Sequence, residues 1–354
     1  MYSQFNPRTE RFWAPQIKSF EITEPGTSTT YRGFVDPSPD LSLVHETLLF
    51  RVIPRRIPSL QVKIKYGGSG ETIETTIANP VYRPNAPTWK GEALPLSKVV
   101  DGATVAIEKI TFGTSRESID GQTTENPAAF PSIKVTEPGA SKDCFSTAYE
   151  WSDATGNTIN TGMLPFSESV WKLKVTFTES ANYPFPPKQI LSLGKIKVPG
   201  SGQIVTLTVP KELQKFGISD ALVIGPGNYR RNGKAITASG IGGQAAKVVA
   251  TTNGYSPNSI GTISAWEIHL YTQGTGGLRG KGPILRVHHG SGMISANSTG
   301  SSSNGYACTD TWGSFNTKSG PVPGGDDIEI DMVIPKSRVA EFFINRPEPP
   351  KSIR

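Results

Sequence analysis

With 354 residues, 37 glycines, 29 prolines and a hydrophobic content of 36%, the chain has room for two sizeable cores and the turn-rich composition of many short strands. Its formal charge is +6, but the densest basic groups, Arg51/Arg55/Arg56, Arg230/Arg231/Lys234 and Arg279/Lys281, are too sparse for a basic patch, so no nucleic-acid partner is expected. Apolar alternation recurs along the chain, which excludes wholesale disorder, and no stretch approaches the length of a membrane span.

The first residues, MYSQFNPRTERFWAP, hold no apolar core of signal-peptide length, so the chain as given is expected to be soluble, and an exported product would have lost its signal. Residues 1–40 read as an N-terminal arm with one strand, Ala14 to Ile22, of the kind that packs along a sheet or reaches another subunit. Leu48 to Pro54, Ser59 to Tyr66 and Glu71 to Ile77 alternate with period two and read as consecutive strands, with Gly67 to Gly70 as a hairpin turn. Further strands are expected over Gly102 to Gly113, Pro131 to Gly139, Trp171 to Phe177, and in LGKIKVP and QIVTLTVP beyond a proline-rich crossing.

Gly225 to Gly243 reads as a Gly/Asn-rich loop, followed by strands over Gly261 to Tyr271, Pro283 to Gly290 and Asp327 to Pro335. The polar stretch Ser295 to Asn304 reads as a solvent loop. Helix is scarce, with short candidates only at Lys211 to Phe216 and Lys336 to Phe343.

One phrase occurs twice, YEWSDATGN at Tyr149 to Asn157 and YACTDTWGS at Tyr306 to Ser314, offset by 157 residues (306 minus 149). The same offset carries Trp171 to Phe177 onto Ile328 to Ile334, which argues for two copies of one β unit. Asp-x-x-Gly is a turn signature, so Asp153 and Asp310 are expected at matching hairpin corners. The reading is all-β: an arm at 1–40, a first β-sandwich domain at 41–200, a second at 201–346 and a tail at 347–354.

No catalytic set emerges from the sequence, and no cofactor is expected. His288 and His289 are adjacent on a strand and point to opposite faces, so they cannot share one metal ion without distortion. Should their strands pair, Asp326, Asp327 and Glu329 would approach them, which makes His288, His289, Asp326 and Asp327 weak candidates for a metal or acid–base site. His45 and His269 are the other histidines. Gly277 to Gly282, GLRGKG, lacks the Gly-Lys-Ser/Thr ending and the following helix of a phosphate cradle, and reads as a flexible loop. Trp312, Tyr306 and Tyr255, expected on loops, are weak candidates for stacking on a glycan. Cys144 and Cys308 are the only cysteines and read as free, partly buried thiols, with a single bridge between them as the alternative.

The order in the second half, Tyr-x-x-Thr-Asp-x-x-Gly followed by DIEIDMVIPKSRVAEFFI, resembles the secreted bacterial immunoglobulin-like domains of the mycobacterial immunoprotective extracellular type. Through EALPLSKVVDGATVAIEKITFG, SDATGN, VWKLKVTF and VAEFFINRP, the chain also looks like β-rich envelope-associated proteins of planctomycete-type bacteria. These resemblances imply tandem immunoglobulin-like sandwiches in the periplasm, envelope or cell surface. They supply no catalytic residue. The function expected is that of a non-enzymatic structural or interaction protein with protein partners or self-association; a carbohydrate- or ligand-binding module and a particle shell protein are the alternatives.

Overall fold

The computed structural model describes residues 17–24, 30–35, 48–66, 71–119, 122–141, 143–232, 234–239, 247–252, 260–273, 282–303, 307–317 and 320–348. The chain is all-β, and its sheets are antiparallel. It divides into two compact units, one built from 1–138, 147–177 and 338–354, the other from 139–146 and 178–337. Both are therefore discontinuous, whereas the sequence division runs linearly through residue 200.

In the first unit, Ile17–Thr23 is an interior strand of a four-stranded sheet, between Thr30–Arg32 and Ser59–Tyr66, with Thr72–Ala78 outermost. Phe20 and Ile22 are buried, so this part of the expected arm belongs to the unit's core. The alternation of SLQVKIKY turns Leu60 and Val62 inward and Gln61 and Lys63 outward. A three-stranded sheet follows, ordered Leu96–Val100, Ala103–Ile119, Gln122–Thr136. Trp151 and Trp171 lie 5.9 Å apart and edge to face, and each ring nitrogen donates inside the core, to Ala129 O and Pro165 O respectively. A buried indole keeps its N–H bonded in this way.

In the second unit, two halves of one long strand path face each other across a shared core. Ile190–Lys197, Asp327–Val333 and Ile284–His289 form one half; Ala307–Thr317, Glu267–Gln273, Ile218–Ile224 and Ile204–Leu207 form the other. Gly292–Ser303 links them, pairing with Ile284–His289 through Gly292 to Ile294 and with Ala307–Thr317 from Ser295 onward. Val287, Ile330 and Met332 from one half meet Ala221, Val223, Ile268 and Leu270 from the other. Leu222 and Ile224 point the opposite way, into a second core with Tyr229 and Ile236 from a four-stranded sheet. The run ALVI in Ile218–Ile224 is continuous because the strand is covered on both faces.

Several expectations are corrected. Lys211–Gln214 is the short helix expected, but residues 337–345 form the strand Ser337–Asn345 rather than a helical turn. Ser295 to Ser303 is strand and not solvent loop; Gly227–Asn232 and Ala235–Ser239 form a hairpin where a loop was expected. Of Leu48 to Pro54 only Leu48–Leu49 is strand. Gly67 to Gly70 and most of Gly277 to Gly282 lie outside the described residues. Cys144 and Cys308 are buried, and no disulfide joins them.

The repeated phrase has two settings. Asp153 builds the expected hairpin corner: Oδ1 accepts from Thr155 N at 2.9 Å, Thr155 Oγ1 at 2.7 Å and Asn157 N at 3.0 Å, while Gly156 takes a positive φ of 94°. Asp310 instead sits within Ala307–Thr317, paired with Leu270 on one side and Ser301 on the other. The 157-residue offset therefore carries a turn aspartate onto a mid-strand one, and the two phrases are not equivalent corners of a repeated unit.

Candidate functional site

Strands Ile284–His289 and Asp327–Val333 pair antiparallel, which sets Arg286 opposite Asp331, His288 opposite Glu329 and His289 opposite Ile328. Period-two alternation then sorts the side chains: Leu285 and Val287 enter the core, while Arg286 and His288 share the outer face with Glu329 and Asp331. Arg286 grips Asp331 in a bidentate pair, Nε to Oδ1 at 2.8 Å and an Nη to Oδ2 at 2.9 Å, and His288 Nε2 lies 3.0 Å from the same Oδ2. Asp331 and Arg286 are nearly buried, and the guanidinium stands 5.7 Å from the Phe185 ring centre.

On the neighbouring strand, Lys195 faces Glu329 and Lys197 faces Asp327 at longer, exposed separations of 3.4 and 4.0 Å, which contribute little. A shallow depression of about 560 Å³ lies over this face, lined by Lys195, Lys197, His288, Gly290, Asp327 and Glu329 among others.

The approach of carboxylates to the two histidines is realised, but to separate partners. His289 Nε2 lies 2.9 Å from Asp326 Oδ2, away from the His288–Asp331 contact, and Asp327 pairs with Lys197 instead. His269 is buried beside Glu267 at 2.9 Å, and His45 lies outside the described residues. Among the described residues no three His, Cys, Asp or Glu side chains converge as a metal site requires. Sequence reasoning missed Asp331 and Arg286. The signal was there: in DIEID the residues 327, 329 and 331 share one face, as do 286 and 288. As chemistry, the arrangement is a cross-strand ionic clasp, since a one-residue slip would turn Arg286 and Asp331 to opposite faces.

Trp312 lies on a strand and not on a loop, opposite Ile268 and Ser298, and packs partly buried against the core; Tyr255 and Tyr306 lie outside the described residues. Among the described residues, Trp266 stacks on Phe315, with centroids 4.0 Å apart, beside a groove of about 510 Å³.

A different surface stands out in the first unit. The outermost strand Thr72–Ala78 is exposed at every residue, and among the described residues no strand pairs with its outer edge. Ile73 and Ile77 lie opposite Ile64 and Leu60, so they share the core-facing side of the sheet, yet they are 42% and 43% exposed. Most edge strands are protected by lysine, proline or a bulge. This one carries none of the three, and its single charge, Glu74, is paired with Lys63 of its own sheet at 2.7 Å.

Comparison with known proteins gives no match among family models, curated proteins or solved structures.

Proposed function

We propose that the chain is a non-enzymatic structural and interaction protein that works by contact, in the cell envelope, at the cell surface or in an extracellular assembly. The observation that carries the reading is the edge strand Thr72–Ala78, exposed at every residue and, among the described residues, without a strand on its outer side, so that its backbone donors and acceptors and two isoleucines are offered together. An exposed edge binds by strand addition, with main-chain hydrogen bonds supplying affinity and alternate side chains supplying selection. The ionic clasp supports the same reading, because Asp331 is occupied by Arg286 and His288 in holding two strands in register. The extracytoplasmic setting and the description of the units as immunoglobulin-like rest on the resemblance alone. A glycan-binding role for Trp312 has less behind it, since its ring packs against the core.

Sedimentation of the full chain over a dilution series tests the self-associating form of this reading. Species heavier than a monomer should grow in with concentration. A monomer at every concentration up to about 100 µM, well above the dissociation constants of specific complexes, would overturn it.

A further inference from the structure

The edge strand Thr72–Ala78 fits a second copy of itself. Its sequence, TIETTIA, is nearly palindromic about Thr75. If two copies lie antiparallel with Thr75 opposite Thr75, Ile73 of each meets Ile77 of the other on one face, and Glu74 meets Thr76 on the other face. Directly opposed β-branched apolar residues stabilise an antiparallel pair, and directly opposed like charges destabilise it. Centring the pair on Glu74 instead would oppose the two carboxylates, and centring it on Thr76 would set each Ile77 against Thr75 and lose both isoleucine pairs. The charge pattern and the apolar pattern therefore select the same register.

We infer that this edge is a two-fold, isologous contact between copies of the chain, centred on Thr75, which joins two four-stranded sheets into one continuous sheet. The inference rests on the contact reading above and names its partner. The isoleucines explain the choice of occupant further. They continue the row begun by Leu60, Val62 and Ile64, but among the described residues the core cluster takes in those three and neither Ile73 nor Ile77, which stay 42% and 43% exposed. A second copy presents the same half-exposed isoleucines, so four of them come together across the two-fold axis. Glu74, already paired with Lys63, brings no uncompensated charge to the seam. Two-fold contacts of this kind are the commonest route to a closed homo-oligomer.

Disulfide trapping in the full chain reads the register. Opposed residues in an antiparallel pair have Cα atoms about 4.5 to 5.5 Å apart, within disulfide range. Thr75→Cys should give a covalent dimer on mild oxidation, whereas Thr72→Cys should not, because in this register it meets Ala78. Cys144 and Cys308 are buried, which keeps the background low. Ile73→Lys should weaken the dimer more than about tenfold by burying a charge against Ile77. Adding Ile77→Glu should restore it, because each introduced ammonium then opposes an introduced carboxylate of the other copy. A dimer that fails to cross-link at 75, or that Ile73→Lys leaves intact, would overturn the inference and leave the contact reading standing. A monomer at all concentrations would remove both.

Discussion

Glu168 is almost wholly buried, with Arg56 Nε 2.6 Å from its carboxylate. Burial is the largest influence and holds its carboxyl above the ordinary carboxylate range; Arg56 opposes this, and the charges of Asp153 and Glu24 add to it. A group whose folded pKa is raised holds its proton more tightly in the folded state. It therefore favours the fold at pH below the ordinary carboxylate pKa, and that contribution is lost as pH rises through the raised value. Glu168→Gln is neutral throughout and removes the dependence. Urea midpoints of both proteins between about pH 4 and pH 7 should show the wild type losing stability relative to the variant as pH rises. If the wild type gains instead, Arg56 outweighs burial. Glu24, nearby in the first unit, shows the alternative solution for a buried carboxylate: it accepts from Tyr31 Oη at 2.8 Å and from the backbone N–H groups of Phe166 and Ser167. That clamp was not visible in the sequence, because its backbone donors lie more than 140 residues from Glu24.

The strand Ser337–Asn345 shows how an element is fixed by its surroundings. Val339, Phe342 and Phe343 are spaced i, i+3, i+4, a helical signal. The face that is actually buried is Arg338, Ala340, Phe342 and Ile344, a period of two disguised by an arginine at an inward position. Arg338 fits there because Glu137 accepts from it at 3.0 Å and its guanidinium lies 5.8 Å from the Phe177 ring centre. Phe342→Ala should cost about 3 to 5 kcal/mol in chemical unfolding, and Val339→Thr on the outer face no more than about 0.5 kcal/mol. A helix would make Val339 and Phe342 comparably sensitive. Strands with clean alternation, Ser59–Tyr66 and Val170–Glu179 above all, were legible from the sequence because each has one dry face. Gly292–Ser303 was not. Its Ser, Asn, Thr and Gly residues show no apolar period, and the neighbouring strands supply its pairing, with two register shifts. The same holds for Asp310, whose Asp-x-x-Gly turn signal is overridden by partners on both sides. The histidine cluster was half legible: alternation told which residues share a face, but only the register of Ile284–His289 against Asp327–Val333 selects Asp331 as the acceptor.

At the level of the whole chain, neither unit is a single continuous stretch of sequence. The first unit closes with residues 338–354, and the second takes in 139–146 and begins its longer stretch at 178. Cutting at residue 200 therefore damages both. A fragment of residues 1–200 would lack Ser337–Asn345, the terminal strand next to Val170–Glu179, and with it the buried ring of Phe342. It would also carry Ile190–Lys197 without Asp327–Val333, the strand it pairs with. The complementary fragment, 201–346, would expose that same Asp327–Val333 strand along its full length, with Ile328 and Ile330 beside a new open edge. Losing a whole strand removes several buried side chains at once, more than the total stability of about 5 to 15 kcal/mol that a domain commonly has. Neither fragment should show a cooperative thermal transition by near-ultraviolet circular dichroism, while the full chain should. Cooperative melting of 1–200 alone would mean that the linear division, and not the discontinuous one, is the physical unit of folding.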